Sequence, residues 1–327
     1  MKAAVRERYG SPDVVELCDI DRPAPTGDQL LVRVRAASVN RADLDLIYPK
    51  PGFLRLFMGL RAPRAHRLGC DVAGIVEAVG PGVTRFKPGD EVFGDMYGFG
   101  LGSFAEYLCA PERAFLPVPT GMPLEDAATL PHAAILAIQG LRLRDGRTIG
   151  PGDRLLVVGA SGNVGPFAVQ IAKDKGAEVT GTCRTEKMDF VRSLGADHVV
   201  DYTTTDPVAT DASYDWILDV DGNIPIVRAR RALRPNGVYV ALGGTSWRII
   251  QQMILGPVLS RTSGGKRLGL MLWWKPFAAD DIATLAGLMA AGIVVPAVDR
   301  RFSLADVVEA LRHVDEGRAR GKVLVIP

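Results

Sequence analysis

The pattern of hydrophobic and polar positions changes character near residue 122. Before that point the chain carries short apolar runs broken by Gly and Pro, a pattern that is typical of closely spaced β-strands. Strands are predicted at residues 30–36, 71–79, 91–94 and 104–109. The first third of the chain is therefore expected to fold as a small β-barrel or sandwich.

Beyond residue 122, helical and strand-like segments alternate. A helix is predicted over residues 123–140. The run at 154–159 is almost uninterrupted in its apolar character, as strands buried on both faces of a parallel sheet are. The next elements are predicted as strands at 178–183, 198–202, 214–220, 237–242 and 266–273, and helices at 164–175 and 186–194. This alternation predicts an α/β fold with a doubly wound parallel sheet.

The last segment returns to short elements, with a strand at 299–302, a helix at 304–314 and a strand at 322–326. We expect this tail to rejoin the first domain. The predicted organisation is a β-rich domain of residues 1–122 and 293–327, and a dinucleotide-binding domain of residues 123–292. Within the latter, Trp247 to Leu259 is apolar at helical spacing. It is interpreted as core, as a dimer surface or as the wall of a substrate channel.

Composition narrows the range of functions. The 327 residues exceed one comfortable hydrophobic core, which favours two domains. The 39 basic and 37 acidic residues give a net charge of 39 − 37 = +2, which argues against a nucleic-acid partner. No apolar run is long enough to span a membrane, and the first residues contain no apolar signal core. A cytoplasmic protein with no membrane partner is expected.

A glycine-rich turn follows the strand at 154–159. The sequence Gly159-Ala-Ser-Gly162-Asn-Val-Gly165 joins that strand to a predicted helix, inside a βαβ unit of about 30 residues. Glycine at the first two positions allows a tight turn and the close approach of a pyrophosphate, and Gly165 allows close packing of the helix. The helix N-terminus offers N–H groups and a positive dipole end to phosphates. A tight turn without a ligand is the alternative.

The end of the second strand of this domain indicates which nucleotide is bound. An NAD site usually has Asp or Glu there, to accept hydrogen bonds from the ribose hydroxyls. This chain has no acid at that point. Thr182, Arg184 and Lys187 instead supply a hydroxyl and two cations, which suit a 2′-phosphate. The sequence therefore predicts NADP(H) as cofactor, unless Arg184 and Lys187 are merely solvated at a helix start.

Five segments together resemble the zinc-free quinone-oxidoreductase branch of the medium-chain dehydrogenase/reductase superfamily. They are residues 37–43 (ASVNRAD), 68–80 (LGCDVAGIVEAVG), 87–94 (KPGDEVFG), 194–202 (LGADHVVDY) and 318–323 (RARGKV), in addition to the glycine turn. The resemblance covers nearly the whole chain. It implies a GroES-like catalytic domain beside a Rossmann domain, with the active site in the cleft between them, NADPH as cofactor, and a homodimer joined through the edge of the Rossmann sheet.

The resemblance also implies where the cofactor is held. The expected contacts lie in the glycine turn, at the ends of the following strands and near the C-terminus: Ser161, Gly162, Asn163, Val164, Tyr202, Val220, Leu242, Gly243 and Lys322. A solvated lysine is the alternative for Lys322.

Catalytic candidates follow from the same resemblance. Asn40 and Asp43 are expected at the floor of the cleft, with Asp43 in either a structural or a functional role. Tyr48 and His132 are candidate proton donors, and for Tyr48 a packed loop aromatic is the alternative. Zinc-dependent relatives carry Gly-His-Glu where this chain has Gly69-Cys70-Asp71. Cys70 is therefore interpreted as a buried core residue, and no metal is predicted.

Without a metal to stabilise an alkoxide, the easier hydride acceptors are quinones and alkenes conjugated to a carbonyl, because their π-systems carry the negative charge to oxygen. The leading hypothesis is an NADPH-dependent reductase of such compounds. An alcohol dehydrogenase or carbonyl reductase is the second hypothesis. A nucleotide-binding accessory protein with little turnover is the third.

Overall fold

The computed structural model describes residues 1–49, 52, 55–275 and 278–327, apart from the side chain of Phe57. The strands described are β1 (Lys2–Arg6), β2 (Val15–Asp19), β3 (Gln29–Val39), β4 (Asp71–Val79), β5 (Glu91–Asp95), β6 (Tyr107–Pro111), β7 (Phe115–Pro117), β8 (Arg154–Val158), β9 (Glu178–Cys183), β10 (His198–Asp201), β11 (Tyr214–Asp219), β12 (Leu233–Ala241), β13 (Arg267–Leu270), β14 (Val298–Ser303) and β15 (Lys322–Ile326).

The helices described are α1 (Arg41–Ile47), α2 (Arg55–Met58), α3 (Leu124–Ala127), α4 (Ile135–Gly140), α5 (Gly165–Asp174), α6 (Met188–Ser193), α7 (Ile226–Ala232), α8 (Ser246–Arg261), α9 (Ala279–Ala290) and α10 (Val307–Asp315). One turn of π-helix, Leu130–Ala134, lies between α3 and α4. The predicted helix over 123–140 is thus three short helical pieces.

The chain forms two compact units. The first comprises Met1–Ile135, Pro276–Ala286 and Val298–Pro327, and the second comprises Leu136–Lys275 and Gly287–Ala297. This division differs from the predicted boundaries at residues 122 and 292. The α3 helix packs on β3, β4 and β5 and the π-turn on β4 and β5, and the alanines of these two segments and Leu130 are fully buried.

A largely antiparallel sheet organises the first unit. Its order among the described strands is β14-β15-β3-β4-β5-β7, with β6 also paired to β3. The C-terminal strand β15 runs antiparallel to β3, with Val323 opposite Val39. The C-terminal strand is thus part of the sheet of the first unit. The core includes Val32, Val72 and Phe115, which are fully buried.

The second unit is built on a parallel sheet with the order β10-β9-β8-β11-β12-β13. Renumbered from β8, this is the order 3-2-1-4-5-6 of a doubly wound dinucleotide-binding fold. The fold class predicted from the sequence is confirmed. The central strands of this parallel sheet are buried on both faces. This burial explains why β8 and β11 carry near-continuous apolar runs. No helix in the described parts of the chain is both long and apolar enough to cross a lipid bilayer.

Candidate functional site

The glycine turn lies where the strand order of the second unit reverses, between β8 and β11. In open α/β sheets, ligands bind at the carboxyl ends of the strands at this point. Gly159 has φ +80°, a left-handed conformation that favours glycine. Its carbonyl accepts a hydrogen bond from Gly162 N at 3.0 Å. The chain then enters α5, whose ten residues present an N-terminus to the turn.

Gly165 is required by packing. A Cβ atom there would lie 2.3 Å from the carbonyl oxygen of Gly159 and 2.5 Å from Cα of Ala160, and both of those are backbone atoms. Gly162 is different, because a Cβ at that position would meet only the Gly159 oxygen, at 3.4 Å. Gly162 and Asn163 are half-buried, whereas Ser161 and Val164 are buried. The turn therefore presents mainly backbone at its outer surface, as a phosphate-binding turn needs.

Backbone hydrogen bonds bring the ends of three neighbouring strands together. Val220 N donates to Val158 O at 3.2 Å, and Leu242 N donates to Asp219 O at 3.0 Å. The predicted cofactor contacts Val220, Leu242 and Gly243 thus lie beside the glycine turn at one edge of the sheet. All three are half-buried.

Asp219, which ends β11, holds the loop that follows. Its carboxylate accepts from Ile224 N at 2.9 Å and from the Tyr239 hydroxyl at 3.0 Å. Gln252 of α8 donates to the same hydroxyl at 3.1 Å. Burial raises the pKa of Asp219 to about 6. The strand predicted at 214–220 contains this aspartate, but nothing in the sequence pointed to the tyrosine and glutamine that complete the network.

The end of β9 carries the residues predicted to recognise a 2′-phosphate. Arg184 is exposed, and its Nε donates to the Tyr202 hydroxyl at 3.1 Å. Thr182 is fully buried, and its hydroxyl accepts from Gly159 N at 3.3 Å. Lys187 lies in a short 3-10 turn and is only 6% exposed. Of the three predicted residues, Arg184 is thus the one at the surface, while Thr182 supports the turn from inside the sheet.

A second group of polar side chains is buried in the first unit. Asn40 is the N-cap of α1, and a capping box joins it to Asp43, whose Oδ2 accepts from Asn40 N at 2.8 Å. Burial raises the pKa of Asp43 to about 6, with the Asn40 backbone N–H acting in the opposite direction. Asp43 therefore has a clear structural role, which was one of the two roles predicted for it.

Lys322 and Asp71 lie at the centre of this group. The Lys322 ammonium donates to Asn40 Oδ1 at 2.7 Å and forms an ion pair with Asp71 at 3.2 Å. Asp71 also accepts from Ser38 and from the Asn40 amide. Both charged side chains are almost completely buried, at 1% and 0% exposure. Lys322 was predicted as a cofactor contact or a solvated lysine, and its burial excludes the solvated alternative. Its contact with a cofactor stays a prediction.

His132 lies on the π-turn, a type of irregularity that often marks functional positions. Its Nδ1 is 3.0 Å from Asp95 Oδ2, and the Tyr97 ring is 6.0 Å from the imidazole ring. Burial alone would lower the pKa of His132, because it disfavours the charged imidazolium. The carboxylates of Asp95 and Asp71 have the larger effect, so the pKa of His132 is raised. The structure thus brings His132 into the same electrostatic environment as Asp71 and Lys322.

Tyr48 is the predicted catalytic residue that lies apart. It is the C-cap of α1, whereas Asn40 is the N-cap of the same helix. The two residues are eight positions apart, which corresponds to about 12 Å along the helix axis. Its hydroxyl donates to Asp315 at 2.5 Å, which raises the pKa of Tyr48 to about 12. The carboxylate that binds this phenol makes it a poor proton donor.

Cys70 is fully buried, as predicted. Burial raises the pKa of its thiol well above the usual range, with the neighbouring Asp43 acting in the same direction. Within the described residues, no group of three or more His, Cys, Asp or Glu side chains is placed to hold a metal ion. Asp95 and Tyr97, which lie beside His132, were not predicted from the sequence. The available signal was weak, since an acid at the end of a short apolar strand is common.

Comparison with known proteins covers both units. Residues 26–120 match the family described as "Alcohol dehydrogenase GroES-like domain", and residues 194–325 match the family described as "Zinc-binding dehydrogenase". The chain is 30% identical to the chloroplastic quinone-oxidoreductase QR1 of Triphysaria versicolor, over 100% of this chain and 98% of the relative. It is 31% identical to the chloroplastic NADPH-dependent alkenal/one oxidoreductase of Arabidopsis thaliana, over 100% and 80%.

The fold of this chain is also similar to those of solved quinone oxidoreductase structures. The quinone oxidoreductase of Coxiella burnetii has a TM-score of 0.88 and 27% identity, covering 100% of this chain and 99% of that one. The Escherichia coli quinone oxidoreductase complexed with NADPH has a TM-score of 0.84, and at 22% identity it is similar in fold. Both matches extend over the entire chain.

Proposed function

Since this chain belongs to the zinc-free quinone-oxidoreductase branch of the medium-chain dehydrogenase/reductase superfamily, we propose that it reduces quinones or α,β-unsaturated carbonyl compounds with NADPH. The observation that carries this proposal is the doubly wound sheet, with a glycine-rich turn after β8 and an exposed arginine, in place of an acid, after β9. Relatives with quinone and enone substrates in their names support the acceptor class.

The second unit would hold the dinucleotide. The N-terminal end of α5 and the turn at Ser161–Val164 would bind the pyrophosphate, Arg184 and Tyr202 the adenosine end with its 2′-phosphate, and the loops after β11 and β12 the nicotinamide half. The bound coenzyme supplies a hydride. Thr182 and Gly165 contribute by fixing the turn, since neither offers a polar group at the surface.

The first unit would handle the charge that develops on the acceptor oxygen. We propose His132 as the proton donor, because the two carboxylates favour its protonated form. Asn40 is proposed to orient the acceptor, in a position fixed by Lys322 and Asp71. Hydride addition to a quinone or enone needs a single proton to finish the reduction, so one imidazolium is sufficient.

A panel of acceptors tests the proposed function. NADPH oxidation is followed with four acceptors, namely a quinone, an enone, an aldehyde and a saturated ketone. Each acceptor is tested with and without a metal chelator. We expect turnover with the first two, unchanged by chelator. Reduction of the aldehyde alone would support a carbonyl reductase, and tight coenzyme binding without turnover would support an accessory protein.

Arg184 is expected to set the coenzyme preference. Arg184→Ala should weaken NADPH binding about 10- to 100-fold, the range for one lost charge-assisted hydrogen bond, and should leave NADH binding unchanged. Binding of both coenzymes is measured by calorimetry. Arg192→Ala is the control, because Arg192 is an exposed cation of the same unit that pairs with Asp189. An equal loss for NADPH and NADH would contradict a 2′-phosphate contact.

We further propose a homodimer formed through α8 and the edge strand β13. Trp247, Ile254 and Val258 lie on one face of α8 and are 69%, 62% and 52% exposed. Exposed apolar stripes of this kind mark protein interfaces. This favours the dimer surface among the alternatives predicted for Trp247 to Leu259.

Sedimentation tests the dimer. The wild type is expected to sediment at about twice the chain mass of 35.1 kDa, and Ile254→Glu as a monomer, because a carboxylate would be buried in an apolar interface. Val227→Glu is the control, since Val227 is an exposed valine on α7. A monomeric wild type at micromolar concentration would exclude this dimer.

The cytoplasmic location and the absence of membrane and nucleic-acid partners remain predictions. Some relatives are named as chloroplastic and others as mitochondrial. Fractionation of cells that produce the protein would test the location directly.

A further inference from the structure

A small cavity in the first unit has a buried arginine in its wall. Its volume is about 200 Å³. The lining consists of apolar side chains and two cations, namely Leu46, Met58, Pro63, Ala65, Leu101, Arg6 and Arg64. Among the described residues, no carboxylate lines it. Of the two cations, Arg64 is exposed.

The position of Arg6 is fixed by its backbone. Its N–H donates to His66 O at 2.9 Å, and its carbonyl oxygen lies 3.1 Å from His66 Nδ1. The side chain is 1% exposed. Nη1 donates to the carbonyl oxygen of Leu46, and Nε has no acceptor among the residues that the structure describes. Burial lowers the pKa of Arg6, as expected for a cation taken out of water.

The segment that supplies most of the cavity lining is rich in basic residues. Residues 46–70 contain five Lys and Arg residues and no Asp or Glu. The Tyr9 ring is shared by two guanidinium groups, with Arg6 Cζ 5.5 Å and Arg55 Cζ 5.1 Å from its centroid. Asp43 attracts Arg6 through space, but its carboxylate is bound to Asn40. A buried charge without a paired carboxylate is costly, and an anion in the cavity would remove that cost.

We propose that this cavity binds a small organic anion, a carboxylate with a short apolar or aromatic tail. The guanidinium of Arg6 pairs with the carboxylate, and the tail packs on Met58 and Leu101. A cavity of about 150 Å³ accepts one benzene ring, so a volume of about 200 Å³ limits the ligand to a small acid of about the size of benzoate. The five lining residues other than Arg6 and Arg64 are apolar, which disfavours inorganic phosphate, because the oxygens that face them would have no donors.

Calorimetry on the whole protein without coenzyme tests this site. Benzoate is the probe, benzamide is its neutral isostere, and inorganic phosphate is the polar anion. We expect benzoate to bind at least about tenfold more tightly than either of the others. Arg6→Gln should weaken benzoate binding by at least about the same factor, whereas Arg61→Gln should leave it unchanged, since Arg61 is an exposed arginine outside the lining.

Ala65→Leu provides a second test that leaves Arg6 in place. The added side chain would fill the cavity and should abolish benzoate binding, even if Arg6→Gln fails to fold. Equal binding of benzoate and benzamide, tighter binding of phosphate, or benzoate binding that survives Ala65→Leu would each overturn the proposal.

Discussion

Replacing Gly165 by alanine is expected to weaken NADPH binding about 100-fold and to lower the free energy of unfolding by about 1–3 kcal/mol. The added Cβ would lie 2.3 Å from the Gly159 carbonyl oxygen and 2.5 Å from Cα of Ala160. Neither backbone atom can rotate away, so α5 and the turn must separate. That movement displaces several of the N–H groups proposed to bind the pyrophosphate. Calorimetry and chemical denaturation measure the two effects.

Two further glycine variants separate the contributions of packing and of phosphate contact. Gly162→Ala adds a Cβ at an ordinary 3.4 Å from Gly159 O, so it should keep the wild-type stability while lowering the affinity for NADPH. Gly150→Ala should change neither quantity, because no atom lies within 4 Å of its Cβ position. If Gly165→Ala bound NADPH with wild-type affinity, the phosphate site could not be at this turn.

Replacing Lys322 by methionine is expected to destabilise the protein by about 3–5 kcal/mol at neutral pH. The substitution leaves the Asp71 carboxylate buried, without the cation that now lies 3.2 Å away. It also removes the donor to Asn40 Oδ1. Most of the loss should be recovered in the double variant Asp71→Asn/Lys322→Met, because the buried charge is then gone. Chemical denaturation measures all three free energies.

The effect of Lys322→Met should depend on pH. Burial already raises the pKa of Asp71 in the wild type, with Lys322 acting in the opposite direction. Without the ammonium that pKa rises further, so the folded variant holds a proton that the unfolded chain releases above about pH 4. The stability of the variant therefore falls as the pH rises, relative to the wild type.

Lys173→Met is the matched control for this pair. Lys173 and Asp197 are closer, at 2.7 Å, but both side chains are about one-third exposed. Their separation should cost no more than about 1 kcal/mol, because water replaces the partner. An equal loss in both variants would mean that burial does not govern the strength of the Lys322 pair.

The sequence predicted the elements whose signals are local. The strands β4, β9 and β15 lie at the residues predicted for them, because apolar runs bounded by turn residues identify buried strands. The pair β1 and β2 and the helix α9 were not predicted from the sequence, because each strand is only five residues long and α9 is apolar over most of its length, without a regular polar face. The boundary at residue 122 differs from the packing, because α3 belongs to the first sheet through contacts that no local pattern reveals.

The candidate site divides in the same way. The chain by itself determined the glycine turn, the missing acid after β9 and the family, since each depends on residue types at fixed spacing. Tertiary structure alone decided that Lys322 meets Asn40 and Asp71, that His132 meets Asp95 and that Tyr48 is bound to Asp315. These partners lie 37 to 282 positions apart along the chain. Burial and charge pairing at such separations depend on how the strands and helices pack. The spacing of residues in the sequence does not reveal that packing.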